Sequence, residues 1–166
     1  VSAFAKIAET VSKEVEGKEE RRLYTIGRWH VALGWLRTHI LELEEATCAV
    51  AVENAEIEMV YWLRDIATGA AIMLRQLDID DPAAAFISEY ERAATKHPGM
   101  TLDSDKHTNE SRFYALAEEV GEVCAALTYD NKADTGHNSD LISEVTQVGG
   151  LAIAWLLRYQ EGNIDE

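Results

Sequence analysis

Between Ile57 and Leu77 the apolar residues leave almost no side of a helix bare. Met59, Val60, Leu63, Ile66, Ala67, Ala70, Ile72, Met73 and Leu74 fall nearly all round it. A helix of that kind has to be enclosed by other elements. The rest of the chain supplies them in the same helical period. Phe4, Ile7, Ala8, Val11 and Val15 mark a helix over residues 2–16. Ile26, Trp29, Leu33, Leu36, Ile40 and Leu43 mark a longer one from Glu19 to about Val52, with residues 51–56 as the place to bend or break. No segment alternates with period two, and the chain has only two prolines to punctuate an all-β fold. The fold class is all-α, a helical bundle.

The clearest boundary is Asp78-Ile79-Asp80-Asp81-Pro82. Asp81 suits a helix N-cap and Pro82 the first helical position. It divides the chain into an N-terminal helical half, 1–80, and a second half, 81–166. In the second half a helix is expected from Pro82 to about Thr95, stopped by His97-Pro98-Gly99. Another, capped by Thr108 or Asn109, should run to near Tyr129. The last, capped by Ser139 or Asp140, should run through Arg158. The halves echo each other weakly. Glu42 to Val50 lies beside Glu119 to Leu127, each followed by an apolar helix. That is the pattern of two degenerate helical-hairpin repeats.

Charge narrows the partners. A net charge of -15 leaves no basic surface for nucleic acid or an anionic membrane. No apolar stretch reaches the ~20 residues that span a bilayer. The charges spread through Val1 to Gly17 do not fit a signal peptide. Cys48 and Cys124 are too few for a disulfide framework; as buried thiols they fit a reducing cytosol, hence a cytoplasmic protein. Trp29, Trp35, Trp62 and Trp155 are expected as core anchors or interface residues, and His30 and His39 as structural.

Two acidic clusters stand out from this background: Glu118-Glu119-Val120-Gly121-Glu122, and Glu144-Val145-Thr146-Gln147. Glu119 and Glu122 share a helix face, and so do Glu118 and Glu122. Like charges so placed cost an isolated helix roughly 0.2–0.5 kcal/mol per pair, so a compensating cation is expected. If the two helices form an antiparallel hairpin, three carboxylates and one amide converge. Hard oxygen donors suit Mg2+, with Mn2+ also compatible, and a triphosphate can complete the coordination. A solvated acidic face is the other reading of the same spacing.

The stretch Phe113 to Val123, followed by Ser143 to Val148 and Ala152-Ile153-Ala154-Trp155-Leu156, resembles the MazG family of all-α nucleoside triphosphate pyrophosphohydrolases. The family pattern is a Glu-Glu-x-x-Glu helix, a loop and a Glu-x-x-Asp helix. The resemblance covers roughly Ile87 to Tyr159. It implies magnesium-dependent hydrolysis of a nucleoside triphosphate (NTP or dNTP) to a monophosphate and pyrophosphate. It assigns metal ligation to Glu119, Glu122, Glu144 and Gln147, and catalytic roles to Glu118, Glu119 and Glu122. Gln147 departs from the family's usual Asp. It also implies a homodimer, without nucleic acid or membrane as partner. Around the motifs, Lys96, Lys106, His107, Asn109 and Lys132 are candidate substrate contacts, the cations for phosphate and Asn109 for a base edge. The alternative function is a non-catalytic helical module that binds nucleotide or protein.

Overall fold

The computed structural model describes residues 2–128 and 138–160, with the side chains of 138–140 and 160 left aside. Among these residues there are six helices and no strand. They are α1 (Ala3–Glu14), α2 (Arg22–Glu45), α3 (Ala49–Gln76), α4 (Pro82–Lys96), α5 (Asn109–Ala126) and α6 (Asn138–Gln160). None is long and apolar enough to cross a membrane. The all-α expectation therefore holds. Ser139 and Asp140, expected as caps, fall inside α6, which already begins at Asn138; Lys132 lies outside the described residues.

Side-chain caps set three of the starts. Ser2 accepts from Ala5 N at 3.1 Å, Asp81 from Ala84 N at 3.1 Å, and Thr108 from Ser111 N at 3.0 Å. Each satisfies an amide that the first turn leaves unpaired. One break differs from the expectation. The long second helix ends at Glu45, and Ala46–Cys48 turns the chain into α3, so residues 51–56 lie inside a helix. Glu42, Glu44 and Glu45 crowd the last turn of α2, where negative charge opposes the helix dipole. No Gly or Pro marks the turn.

At the centre α3 lies against α6. Both are buried over long runs, Ala70–Leu74 and Ala152–Leu157 in particular. The other helices are arranged in matched pairs around them: α1 packs on α4, and α2 on α5. Within each half, α2 covers α3 and α5 covers α6. Across the halves, α1 touches α6 and α4 touches α3. The contacts between the two halves are therefore reciprocal. Buried residues from both halves form one continuous core.

The match extends to single positions. Buried residues coincide at Met59/Leu141, Leu63/Val145, Ile66/Val148 and Ala67/Gly149. In the outer helices they coincide at Thr25/Arg112, Trp29/Leu116, Leu33/Val120 and Leu36/Val123. This register differs from the sequence echo. It lays Val31-Ala32-Leu33-Gly34-Trp35, not Glu42 to Val50, on Glu118-Glu119-Val120-Gly121-Glu122. Glu42 and Glu45 sit one to three turns beyond, at the end of α2.

Two kinds of glycine follow from the packing. A methyl at Gly149 would collide with the ring of Phe86, which is fully buried on α4. A methyl at Gly34 or Gly121 would meet nothing. Gly149→Ala is expected to lower stability by about 1–3 kcal/mol through overpacking. Gly34→Ala and Gly121→Ala are each expected to raise it by about 0.5–1 kcal/mol by restricting the unfolded chain. Urea melts of the three variants check both signs. A neutral Gly149→Ala would contradict the close approach of α4 to α6.

Candidate functional site

The α5/α6 pair brings the two acidic motifs together. Val120 and Val123 point into the core, as do Val145 and Val148 on α6. With those positions fixed by burial, Glu119, Glu144 and Gln147 fall half-buried along the α5/α6 seam, and Glu118 and Glu122 fall exposed beside it. Glu119 shares a hydrogen bond with Glu144. Two carboxyl groups can do so only if a proton lies between them. The Gln147 amide is satisfied with its nitrogen toward Glu119, donating to the two carboxylate oxygens at 2.8 and 3.0 Å. In the opposite orientation its nitrogen reaches Ser143 Oγ at 3.4 Å and its oxygen faces Glu119. The amide can therefore present either a donor or an acceptor to the same point.

The electrostatics follow from this crowding. The Glu119 carboxyl is pushed up from its ordinary 4.5 to about 8. Burial is the largest cause, followed by the hydrogen bond that the protonated Glu119 donates to Glu144 and by the charges of Glu144, Glu118 and Glu122. One cation stands close by. Arg92 on α4 lies within electrostatic reach of Glu119, but its guanidinium is forked onto Glu89 at 2.9 and 2.6 Å. Glu89 and Arg92 escaped the sequence reading. Their spacing of three marks a helix-surface pair, and only the packing of α4 across the seam turns it toward α5.

The donors gathered here are carboxylate and amide oxygens, the chemistry of a hard divalent ion. Among the described residues, no three His, Cys, Asp or Glu side chains are arranged to hold a metal ion. Two touching carboxyls with an amide are what the seam provides. Magnesium is commonly held by one or two carboxylates, with water and phosphate oxygens completing the shell. The set fits such an ion in kind, with Glu119, Glu144 and Gln147 as the holders.

The other candidates lie around the turn between α4 and α5. Lys96 is the last residue of α4 and is exposed. Lys106 is exposed, close enough to Gly99 that a methyl there would lie 3.3 Å from its Nζ. His107 Nε2 is 2.7 Å from the Met100 carbonyl oxygen. Asn109 is occupied structurally. Its Oδ1 accepts from Arg112 Nη1 at 2.9 Å and from the Tyr159 hydroxyl at 3.4 Å. The buried Arg112 also donates to the carbonyls of Leu102 and Ser104 at 2.6 and 2.9 Å. Arg158 donates to the Asp103 carbonyl at 3.0 Å. The turn is thus tied to both helices that carry the acids. Lys132 falls outside the described residues.

The equivalent seam of the first half carries different chemistry. Where the second half has Glu122 and Glu144, it has Trp35 and Trp62, stacked at 6.2 Å between ring centroids and 6° between planes. Ala32 replaces Glu119. Asp65, which corresponds to Gln147, is paired with Arg28, which also holds Glu20 at 2.8 Å. His39 stacks on Trp35 at 5.8 Å and meets Glu42 at 3.0 Å. Trp29 and Trp155 are fully buried, as expected of core anchors, whereas Trp35 is 47% exposed. Cys48 is exposed and Cys124 half-buried, both as free thiols; the expectation of buried thiols fails because Cys48 caps α3 in the exposed turn.

No family model matches the chain, and neither the curated proteins nor the solved structures contain a match.

The raised carboxyl has a consequence for stability. A group that holds its proton more tightly folded than unfolded stabilises fully below the unfolded value and progressively less as pH rises through the folded one. For Glu119 that window is pH 4.5 to about 8. In metal-free buffer, Glu119→Gln should therefore melt increasingly above the native protein as pH is raised from 5 to 8.5. A difference that stays constant across that range would show that the seam does not perturb the carboxyl.

Proposed function

We propose that this acidic seam binds a nucleoside triphosphate with magnesium and hydrolyses it to a nucleoside monophosphate and pyrophosphate. One observation carries the reading: α5 and α6 bring Glu119, Glu144 and Gln147 together half-buried along one seam, with Glu118 and Glu122 exposed beside them. Such a point in the fold favours positive charge, and its oxygen donors suit a hard ion. The resemblance of both motifs to the MazG family supports the same reaction.

In this reading Glu119 and Glu144 are the carboxylate ligands. Gln147 would offer its amide oxygen to such an ion in the orientation in which its nitrogen approaches Ser143. The ion, when bound, neutralises phosphate charge and lowers the pKa of a coordinated water. One carboxylate exposed beside the ligands, Glu118 or Glu122, would accept the proton of the attacking water. The new bond forms between that water's oxygen and the α-phosphorus. The bond from the α-phosphorus to the bridging oxygen breaks, and pyrophosphate leaves with the electron pair. Lys96 and Lys106, at the turn facing this end of α4, stand ready to offset phosphate charge.

A second reading has a specific observation behind it. Gln147 stands in place of an acid, and only two carboxyls touch. A seam so provided fits a helical module that binds nucleotide without turnover. The exposed Trp35, Ile57 and Tyr61 on the first half suit a contact between two copies of the chain, a homodimer in either reading.

Pyrophosphate release from a nucleotide panel with magnesium separates the two. The enzyme reading expects release from at least one nucleotide, reduced about 100-fold or more in Glu119→Gln and in Glu122→Gln. It also expects Gln147→Asp to lower the magnesium concentration needed for half-maximal release. Absence of release from every nucleotide, together with a melting temperature indifferent to magnesium, would overturn it.

A further inference from the structure

A pocket of about 190 Å3 opens beside the acidic seam, between α4, α6 and the turn that joins α4 to α5. Gln147 belongs to both its lining and the surroundings of Glu119, so the pocket adjoins the seam; Glu89, also in the lining, holds the Arg92 guanidinium that feels the Glu119 charge. We infer that this pocket is the base-binding site of the protein and takes the planar heterocycle of a nucleotide whose phosphates extend past Gln147 to the acids. The inference rests on the proposed function for the direction of the phosphates.

The lining argues for a flat ring. Ala93 on α4, Leu151 and Ala154 on α6, and Met100 and Leu102 on the turn present apolar surface. The polar groups stand with them in a small set: His97, Thr101, Glu89 and Gln147. Apolar walls with a few placed polar groups are the usual composition of a small-molecule site. Drug-sized ligands occupy roughly 300–1,000 Å3, so this volume admits one ring system and little more. Gly150 keeps the passage toward the seam open. A methyl there would already lie 3.6 Å from Glu89 Cγ, and a larger side chain would close the gap.

The walls are held, as specificity requires. Tyr90 stacks on Phe4 with ring centroids 4.2 Å apart and its hydroxyl lies 3.1–3.2 Å from the Asp103 carboxylate, which fixes the α4 wall. His107 holds the Met100 carbonyl, and Arg112 holds that of Leu102. Lys106 lies over Gly99 at the lip. The larger hollow of about 790 Å3 between α1 and residues 80–83 shares no residue with the seam, and its Lys6, Lys13 and Arg75 are mixed with Glu9, Glu16 and Asp81. It offers neither apolar walls nor a route to the acids.

Filling the pocket tests the inference. Ala93→Phe places a ring in the slot from a half-buried helix position, and Ala93→Leu is the milder version if the first melts early. Two measurements are made on the full chain with magnesium. The first is steady-state pyrophosphate release from the nucleotide that the native protein uses best. The second is calorimetric binding of the four common nucleoside monophosphates and of inorganic tripolyphosphate, which has no base. The expected result is a KM raised at least 10-fold and nucleoside monophosphate binding lost, with tripolyphosphate binding unchanged. Native turnover with an unaltered KM in both variants would place the base elsewhere and leave the hydrolysis standing. Without any native turnover the proposed hydrolysis fails, and binding alone decides: a monophosphate bound by the native chain and lost in the variants supports the slot, whereas equal binding, or none, overturns it.

Discussion

The contact of α3 with α6 is the constraint on which everything else depends. Over Gly69–Leu74 and Ala152–Leu157 both are buried on every side, which requires each to be enclosed by its neighbours. Their mutual burial fixes which faces remain for α1, α2, α4 and α5, and so fixes where polar side chains emerge. The fit is tight enough that Phe86 occupies the space a methyl at Gly149 would need. The seam between α5 and α6 therefore inherits its geometry from the core. Val145 and Val148 are held inside, and Glu144 and Gln147 have to surface together, one helical turn apart.

The two halves apply one packing solution to opposite chemistry. In the second, the seam gathers acids, and burial with their mutual charge raises the pKa of the Glu119 carboxyl. In the first, the same positions hold two stacked tryptophans, and the remaining acid, Asp65, is neutralised by Arg28. A guanidinium and indole rings supply from within what the second half leaves unsupplied. The contrast identifies the acidic seam as something other than a requirement of the fold, because the fold closes equally well with tryptophan in its place.

Much of the architecture was legible in the sequence. The helical period, Asp81-Pro82 and His97-Pro98-Gly99 located α1, α4 and α6 within about two residues, since capping and periodicity are local. The turn at Ala46–Cys48 was not legible, because no Gly or Pro announces it and the opposing charge of three glutamates is a weak signal. The register between the halves was misread for a different reason. Sequence comparison follows the residues that look alike, here Glu and Ala, whereas the halves share a pattern of burial whose residues differ: Trp29 against Leu116, Thr25 against Arg112. Of the seam, both acidic motifs could be found by spacing. Glu89 and Arg92 could not, since their relation to Glu119 exists only after α4 packs on α6. Asn109 looked available from its place at a helix start, yet Arg112 and Tyr159 engage it.

The stacked Trp35 and Trp62 also bear on stoichiometry. A two-fold arrangement of two identical halves would carry two equivalent seams, and occupancy of one could influence the other through the shared central helices. Here one of the two positions is closed by indole rings. Each chain then presents a single acidic seam among its described residues. In the proposed function this predicts saturation at one ligand per chain, with no second seam in the same chain for it to influence.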